Sequence, residues 1–389
     1  MPNDFLAFLP EDHACATLLA RVWQPEIAGP AIAVIEDGEV YDISDTFPLM
    51  SEALNALDPV ARVRSISHRR HIGSVTQTIR NTLETEPREH THFLAPADLQ
   101  SLKACGVTFV DSLLERVIEE RCGGDPQQIN LLRETIRSQI GEDLRTIRPN
   151  SPASRRVKAL LLERDLWSQY LEVGIGEHAE VFTKSQPMSA VGLGACIGLL
   201  RGSTWNNPEP EVVLAINAAG TIVGCTLGND VNLRDFEGRS ALLLGVSKDN
   251  NASCAVGPFI RLLDDDFTLQ DLKRLRVTLT ITGDDNFSLE GSSDLADISR
   301  DVEDLTAQVI GEHHQYPDGL LLFTGTMFVP IQDRDTVGGG FTHKLNDIVR
   351  ISSPQLGTLL NRVGYADEVP PWSFGLSALM RNLHSRGLL

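Results

Sequence analysis

Basic residues are scarce: 34 Lys and Arg stand against 53 Asp and Glu, a formal net charge of −19 over 389 residues. A surface of that sign repels phosphate backbones and anionic headgroups, which argues against nucleic-acid and membrane-surface partners. Cysteine is sparse and irregular. The six thiols, Cys15, Cys105, Cys122, Cys196, Cys225 and Cys254, show no C-x-x-C spacing, so neither a zinc site nor a disulfide framework is expected, and they read as buried, reduced side chains. Long apolar runs are also missing. No stretch reaches the length of a membrane span, and the opening MPNDFLAFLPEDH lacks the basic start and long apolar core of a signal peptide, so a cytoplasmic location is expected.

What is present is 42% hydrophobic content, enough to bury a large core, and the length suggests two domains. Residues 1–92 read as a small α+β unit: TLLARVW, then AIAVIEDGEVYDIS with a D-G hairpin turn, then a helical LMSEALNAL. The polar stretch LETEPREHTH is expected to link it to residues 93–389, and His90 and His92 read as linker histidines. Beyond it come a GVTFVD strand, the helix SLLERVIEER, and amphipathic helices over DPQQINLLRETIRSQIGEDL and SPASRRVKALLLERDLWSQYLE. The pattern then turns to strands: VVLAIN, TIVGCTL, GPFIRLL, RVTLTITG and LLLFTGTMF, with turns at Gly220, Gly283-Asp284 and Gly291. WSFGLSALMRNLHSRGLL closes the chain as a helix.

The densest chemistry lies in NNPEPEVVLAI and the segment that follows it. Glu209 and Glu211 are spaced i, i+2, so on a strand both carboxylates point one way. Pro208 and Pro210 bracket Glu209, and the apolar VVLAI suits a strand entering a core better than a solvated edge. A tight turn at Gly220 would form a hairpin and bring Asp230 beside the pair, although Asp230 in GND reads equally well as a turn residue bonding its own backbone. Three gathered carboxylates without His or Cys make the ligand set of a hard divalent ion, Mg2+ first, Mn2+ or Ca2+ next.

These residues carry a resemblance. The Glu-x-Glu strand at Glu209 and Glu211, the stretch Gly224 to Asp235, Lys248, and the turn Thr324-Gly325-Thr326 resemble, in order and spacing, the fumarylacetoacetate hydrolase family. The resemblance runs from about Leu94 to the C-terminus. It implies a β-rich α+β fold with a twisted, roll-like catalytic sheet preceded by a small N-terminal α+β domain, and assembly as a homodimer or homotetramer. It also implies Mg2+ or Mn2+ held by Glu209, Glu211 and Asp230, with Lys248 and Thr326 in the substrate pocket. Family hydrolases carry a His and a Glu that together activate water. In the matching segment Gly106 to Glu115, Ser112 stands in the place of that His and Glu115 is retained. A serine is no general base near neutral pH, so hydrolysis by that pair is not expected.

The stretches SQYLEV, NNPEPEVVL, GNDVNLRDFEGRSALLL, KDNNASC, QYPDG and FTGTMF are most similar to the lyase branch, the dehydratases of 2-keto-3-deoxy pentonates. Such a substrate presents a carboxylate and a 2-oxo group that can chelate one cation, which acidifies the C3 hydrogens. Glu115 is the first candidate for the base or acid, and Lys248 for stabilising the enolate. A lowered Lys248 pKa would follow from partial burial beside a metal. The plain alternatives are a solvated lysine and an exposed helical glutamate. Ser112, Thr326 and Asn250 are the expected substrate contacts, with Asn250 and Asn251 open between hydroxyl contacts and turn residues. His313, His314, Tyr316 and His343 stay outside the catalytic set, and Arg234-Asp235 suggests an internal ion pair. Two further readings are hydrolytic C–C cleavage of a 2,4-diketo acid, and a sugar-acid binding protein that kept the metal cradle.

Overall fold

The computed structural model describes residues 5–84, 89–106, 108–109, 147–163, 167–328, 330, 332–336 and 340–389. Its strands in chain order are β1 Leu18–Gln24, β2 Gly29–Glu36, β3 Glu39–Asp42, β4 Arg70–Ser74, β5 His92–Leu94, β6 Ser101–Cys105, β7 Val181–Ser185, β8 Cys196–Leu199 and β9 Asn206–Asn207. They continue with β10 Pro210–Ile216, β11 Ile222–Asp230, β12 Asn232–Leu233, β13 Cys254–Leu262, β14 Arg276–Thr282, β15 Ser288–Asp294, β16 Leu320–Phe323, β17 Ile348–Ser353 and β18 Gly357–Tyr365.

An 11-stranded sheet runs in the order β4-β3-β2-β1-β13-β11-β10-β16-β6-β7, with β5 also paired to β1. A five-stranded sheet, β15-β14-β17-β18-β8, lies apart from it in pairing, and β12-β9 form a short ribbon. Pairing is antiparallel except between β16 and β6 and between β18 and β8. The expected boundary near residue 92 does not interrupt the large sheet. Strand β1 of the N-terminal part pairs with β13, Leu18 opposite Arg261, and β5 pairs with β1. His92, read as a linker residue, is therefore the first residue of a strand and is buried.

The centre of the large sheet is covered on both faces, which is why its strands read as continuous apolar runs rather than alternations. On β10, Val212, Leu214 and Ile216 pack into one core with Ile351 and Leu359 of the smaller sheet, while Val213 and Ala215 pack into another with Ile32, Val34 and Leu321. The D-G turn forms as expected, with Asp37 and Gly38 both at positive φ (50° and 76°) between β2 and β3.

Four expectations are corrected. Gly291 lies inside β15 opposite Leu279 rather than at a turn; a Cβ there would come 2.3 Å from Phe328 Cζ, so the glycine makes room for a ring. The segment SPASRRVKALLLERDLWSQYLE gives two helices, Pro152–Glu163 and Gln169–Ile175, the second opened by Ser168, whose hydroxyl accepts from the Leu171 amide. Cys15 is exposed in a turn and Cys196 is part-buried, so the thiols are not uniformly in the core, while Cys105, Cys225 and Cys254 are. Arg234 stacks on the Trp205 ring and Asp235 accepts from Ser203 and Thr204, in place of the expected pairing between neighbours. Phe109 of the expected GVTFVD strand bridges to Ile298. The expected helices SLLERVIEER and DPQQINLLRETIRSQIGEDL, with Ser112, Glu115 and Cys122, lie outside the described residues.

Candidate metal centre

The expected hairpin forms. Strands β10 and β11 pair antiparallel from Pro210–Asn229 to Ile216–Ile222, and Gly220 closes the turn at φ 80°. The turn is fixed by Asn217, whose side-chain oxygen accepts from the amides of Ala219 and Thr221. Glu211 lies opposite Gly228, and the Asp230 amide donates to the Glu209 carbonyl at 3.0 Å. By strand alternation Glu209, Glu211 and Asp230 share the face of Val213 and Ala215. Gly228, between Asp230 and Glu211, is required small: a Cβ would stand 2.4 Å from Phe323 and 2.5 Å from Val213.

The three carboxylates are buried, and one oxygen from each falls within 4.8 Å of the others. The second Glu211 oxygen accepts from the Gly325 amide at 2.7 Å. Gly325 sits at φ 98°, where a Cβ would press to 2.1 Å from Thr108 Oγ1, so the turn can point its amide at Glu211 only as glycine. Glu211 Oε1 has no hydrogen-bond partner. Asp230 Oδ1 is also unmatched as an acceptor, although Lys184 Nζ stands 3.0 Å from it. Burial first, then the neighbouring charges of Asp230 and Glu209, push the Glu211 carboxyl well above its ordinary value. Open buried oxygens on hard, like-charged ligands fit a divalent cation.

Lys248, at the end of the helix Leu244–Lys248, is buried and reaches this cluster. Its ammonium donates to Glu209 and, at 3.0 Å, to Asp230 Oδ2, with the Phe182 ring 5.5 Å away. Burial works to lower the ammonium pKa, but Asp230, Glu209 and Glu237 together outweigh burial and hold the group charged. Asn232 bridges outward, donating to Glu209 Oε1 at 2.9 Å and to Glu237 at 2.6 Å.

The remaining expected site residues divide. Thr326 is buried next to the Glu211-binding turn, and its hydroxyl donates to the Phe328 carbonyl at 3.1 Å. Asn250 spends its side-chain amide on the Val246 carbonyl at 2.8 Å, and Asn251 ties down the carbonyls of Ala366 and Pro370, so both hold turns together. Ser112 and Glu115 fall outside the described residues. His343, set aside in the sequence, is buried and bonded to Asp347 at 3.1 Å, and its amide donates to the Asn206 carbonyl. His314 stacks on Tyr316 along a cavity of about 310 Å³ that shares no lining residue with the carboxylates. Lys184 escaped the sequence reading altogether. It is buried together with Ser185 at the end of VFTKS, and a lysine on a short strand carries no local sign of burial.

Residues 180–364 match the family described as fumarylacetoacetate (FAA) hydrolase C-terminal. The match contains the hairpin, both lysines and the Thr324-Gly325-Thr326 turn. Two relatives are similar to the chain. One is a 2-dehydro-3-deoxy-D-arabinonate dehydratase of Saccharolobus solfataricus, 34% identical over 47% of this chain and 58% of the relative. The other is a probable 2-keto-3-deoxyxylonate dehydratase of Haloferax volcanii, 31% identical over 52% of this chain and 65% of the relative. The chain thus spans under two thirds of the length of either. The fold is similar to that of a solved 2-keto-3-deoxy-D-arabinonate dehydratase, TM-score 0.63 at 22% identity, covering 90% of this chain and 99% of that one. The same protein complexed with magnesium and 2,5-dioxopentanoate superposes with a TM-score of 0.62 at 22% identity, over 90% of this chain and 99% of that one. These likenesses establish the expected β-rich α+β fold. No helix among the described residues is long and apolar enough to cross a membrane.

Proposed function

We propose that the protein is a Mg2+-dependent hydro-lyase that converts a 2-keto-3-deoxy-pentonate to 2,5-dioxopentanoate. The observation that carries this reading is the buried cluster of Glu209, Glu211 and Asp230 with Lys248 set among its oxygens. The names of the two relatives support the substrate class.

Glu209, Glu211 and Asp230 would hold the cation, Mg2+ by preference with Mn2+ as a substitute. When bound, it supplies Lewis-acid polarisation of a chelated 2-keto acid, which makes the C3 hydrogens acidic. Lys248 Nζ, which donates to Glu209 and Asp230, is proposed to hold negative charge developing on the 2-oxygen. Glu115 is the proposed group that takes the C3 proton and returns it to the departing C4 hydroxyl, with Ser112 and Thr326 as proposed substrate contacts. Loss of water leaves a C3–C4 double bond conjugated with the 2-oxo group; transfer of a proton from C5 to C3 then gives the C4–C5 enol, whose tautomer is the 2,5-dioxo acid. Ser112 in place of a histidine leaves no partner to orient and deprotonate a water nucleophile, which sets dehydration ahead of hydrolytic C–C cleavage.

Incubation of the purified protein and Mg2+ with 2-keto-3-deoxy-pentonates and, separately, with acylpyruvates, followed by mass analysis, tests this. Loss of one water from the first class and no cleavage of the second is expected. Rapid acylpyruvate cleavage without dehydration would replace the lyase reading by the hydrolase. Assembly as a homodimer or homotetramer is proposed alongside, supported by the exposed apolar side chains Leu242, Trp372, Leu376 and Met380, and light scattering measures it.

A further inference from the structure

Glu211 is held by a peptide group that is itself held. Among the described residues its one hydrogen-bond donor is the Gly325 amide, at 2.7 Å on one oxygen, and the other oxygen is buried with none. The peptide that carries this amide has the Thr324 carbonyl at its far end, and there the Thr108 hydroxyl donates at 2.5 Å. The peptide is trans, so its C=O and N–H point opposite ways. Thr108 and Glu211 thus grip the two ends of one rigid plane. Thr108 is 1% exposed and fixed from behind: its carbonyl accepts from the amide and the hydroxyl of Ser299, each at 2.7 Å.

The neighbouring anchors do not reach this plane. Thr324 spends its amide and its hydroxyl on the Val212 carbonyl, at 3.1 and 2.9 Å, and Met327 its amide on the Pro210 carbonyl at 3.2 Å, all outside the peptide in question. Rotation of the plane would carry Gly325 from φ 98° to a negative φ, which glycine accepts as readily, and would turn the carbonyl oxygen onto Glu211 in place of the amide. We infer that Thr108 is a positioning residue of the cation site, its hydroxyl locking the Thr324–Gly325 peptide with the amide on Glu211 so that the carboxylate keeps its second oxygen for the metal. This rests on the metal reading of the cluster and does not require dehydration. Without the hydroxyl, the Thr324 carbonyl is buried with no donor among the described residues in one orientation and opposes a carboxylate in the other, so nothing pins the amide. Partners of metal ligands commonly sustain about ten- to hundredfold of metal affinity, and Thr108 acts one bond further out, which places it at the lower end.

The test uses the full chain and Mn2+ alone, with the free ion measured by its paramagnetic resonance. Thr108→Val keeps the shape and removes the hydroxyl, and it should weaken Mn2+ binding about tenfold, whereas Thr108→Ser, which keeps the hydroxyl, should stay within about threefold of the wild type. Thr306→Val serves as the comparison. It removes a buried hydroxyl that donates to the Val302 carbonyl at 2.7 Å on the helix Val302–Val309, and it should lower thermal stability with Mn2+ affinity unchanged. A folded Thr108→Val with wild-type Mn2+ affinity overturns the inference, and so does an equal loss of affinity in Thr306→Val. If Thr108→Val does not fold, NMR of the wild type with isotope-labelled glycine decides: the Gly325 amide should be protected from solvent exchange, and exchange as fast as that of the exposed Gly202 amide overturns the inference. Absence of dehydration with the Mn2+ pattern intact would sink the dehydratase reading and leave the role of Thr108 standing, whereas a wild type that binds no Mn2+ would overturn the metal reading and this inference together.

Discussion

Two ionic clusters among the described residues are finished differently. Around Arg334 the charges are matched. Its guanidinium bonds Asp347 at 2.6 and 2.9 Å and Asp285 at 2.9 and 3.2 Å, while His343 and the Lys344 amide complete Asp347. Around Glu211 three like charges meet, and buried oxygens of Glu211 and Asp230 have no hydrogen-bond donor. The carboxyl shifts record the contrast. Burial would raise Asp347, but hydrogen bonds from His343, Arg334 and Lys344 outweigh it and the group ends below its ordinary value. Burial raises Glu211 and its neighbours Asp230 and Glu209 raise it further. Similar burial thus produces opposite outcomes according to the sign of the company, and the cluster left incomplete is the one with ligand chemistry.

The sharpest way to break this comparison is to complete the unfinished cluster. Glu211→Gln removes one of the like charges and a ligand oxygen, so turnover should fall by about three orders of magnitude or more while thermal unfolding in chelator is unchanged or raised. Chelation of the wild type should likewise abolish turnover, and Mg2+ should restore it. Full activity in excess chelator would end the metal reading.

Lys248→Met takes the matching positive charge out of the same cluster. Turnover is expected to drop by about two to four orders of magnitude. The apo protein should lose about 3–5 kcal/mol of stability, because Glu209 and Asp230 both lose the buried ammonium that they share, and Mg2+ should recover part of it. An unaltered turnover number would mark the lysine as a spectator.

In the completed cluster the effect should fall on stability instead. Asp347→Asn is expected to cost about 3–5 kcal/mol in denaturant unfolding, with turnover per folded molecule nearly unchanged. Because the folded pKa of Asp347 is depressed, its contribution is fully present above the ordinary carboxylate value near 3.8 and is lost as pH falls through the lower folded value. The variant should therefore show a flatter acid limb, and an acid limb identical to that of the wild type would refute the assignment.

The smallest effect is expected at Asn250→Ala. Its amide serves the Val246 carbonyl, so the change should cost roughly 0.5–1.5 kcal/mol and alter KM by less than about threefold. A tenfold rise in KM with unchanged kcat would return Asn250 to the substrate pocket.

What could be read from the sequence was local. Glu209, Glu211 and Asp230 follow from a two-residue period and one glycine turn, both confined to a single hairpin. Lys248 followed from its place in an ordered set of motifs. Lys184 did not, because its burial depends on Val231, Lys248 and Ser253, which lie far along the chain. The continuity of the sheet was hidden for the same reason: nothing near Leu18 announces that it will pair with Arg261. Gly291 misled because a glycine that accommodates a ring and a glycine that turns the chain look alike without their surroundings.

The single hairpin also bears on the order in which the molecule assembles. Closing the short loop at Gly220 takes microseconds, whereas joining Leu18 to Arg261 requires closure of most of the chain and belongs to the slow steps of folding. The three carboxylates are therefore gathered on one ribbon before the N-terminal strands bury it, at a stage when water still reaches them. A cation present at that stage would meet its ligands on an open ribbon.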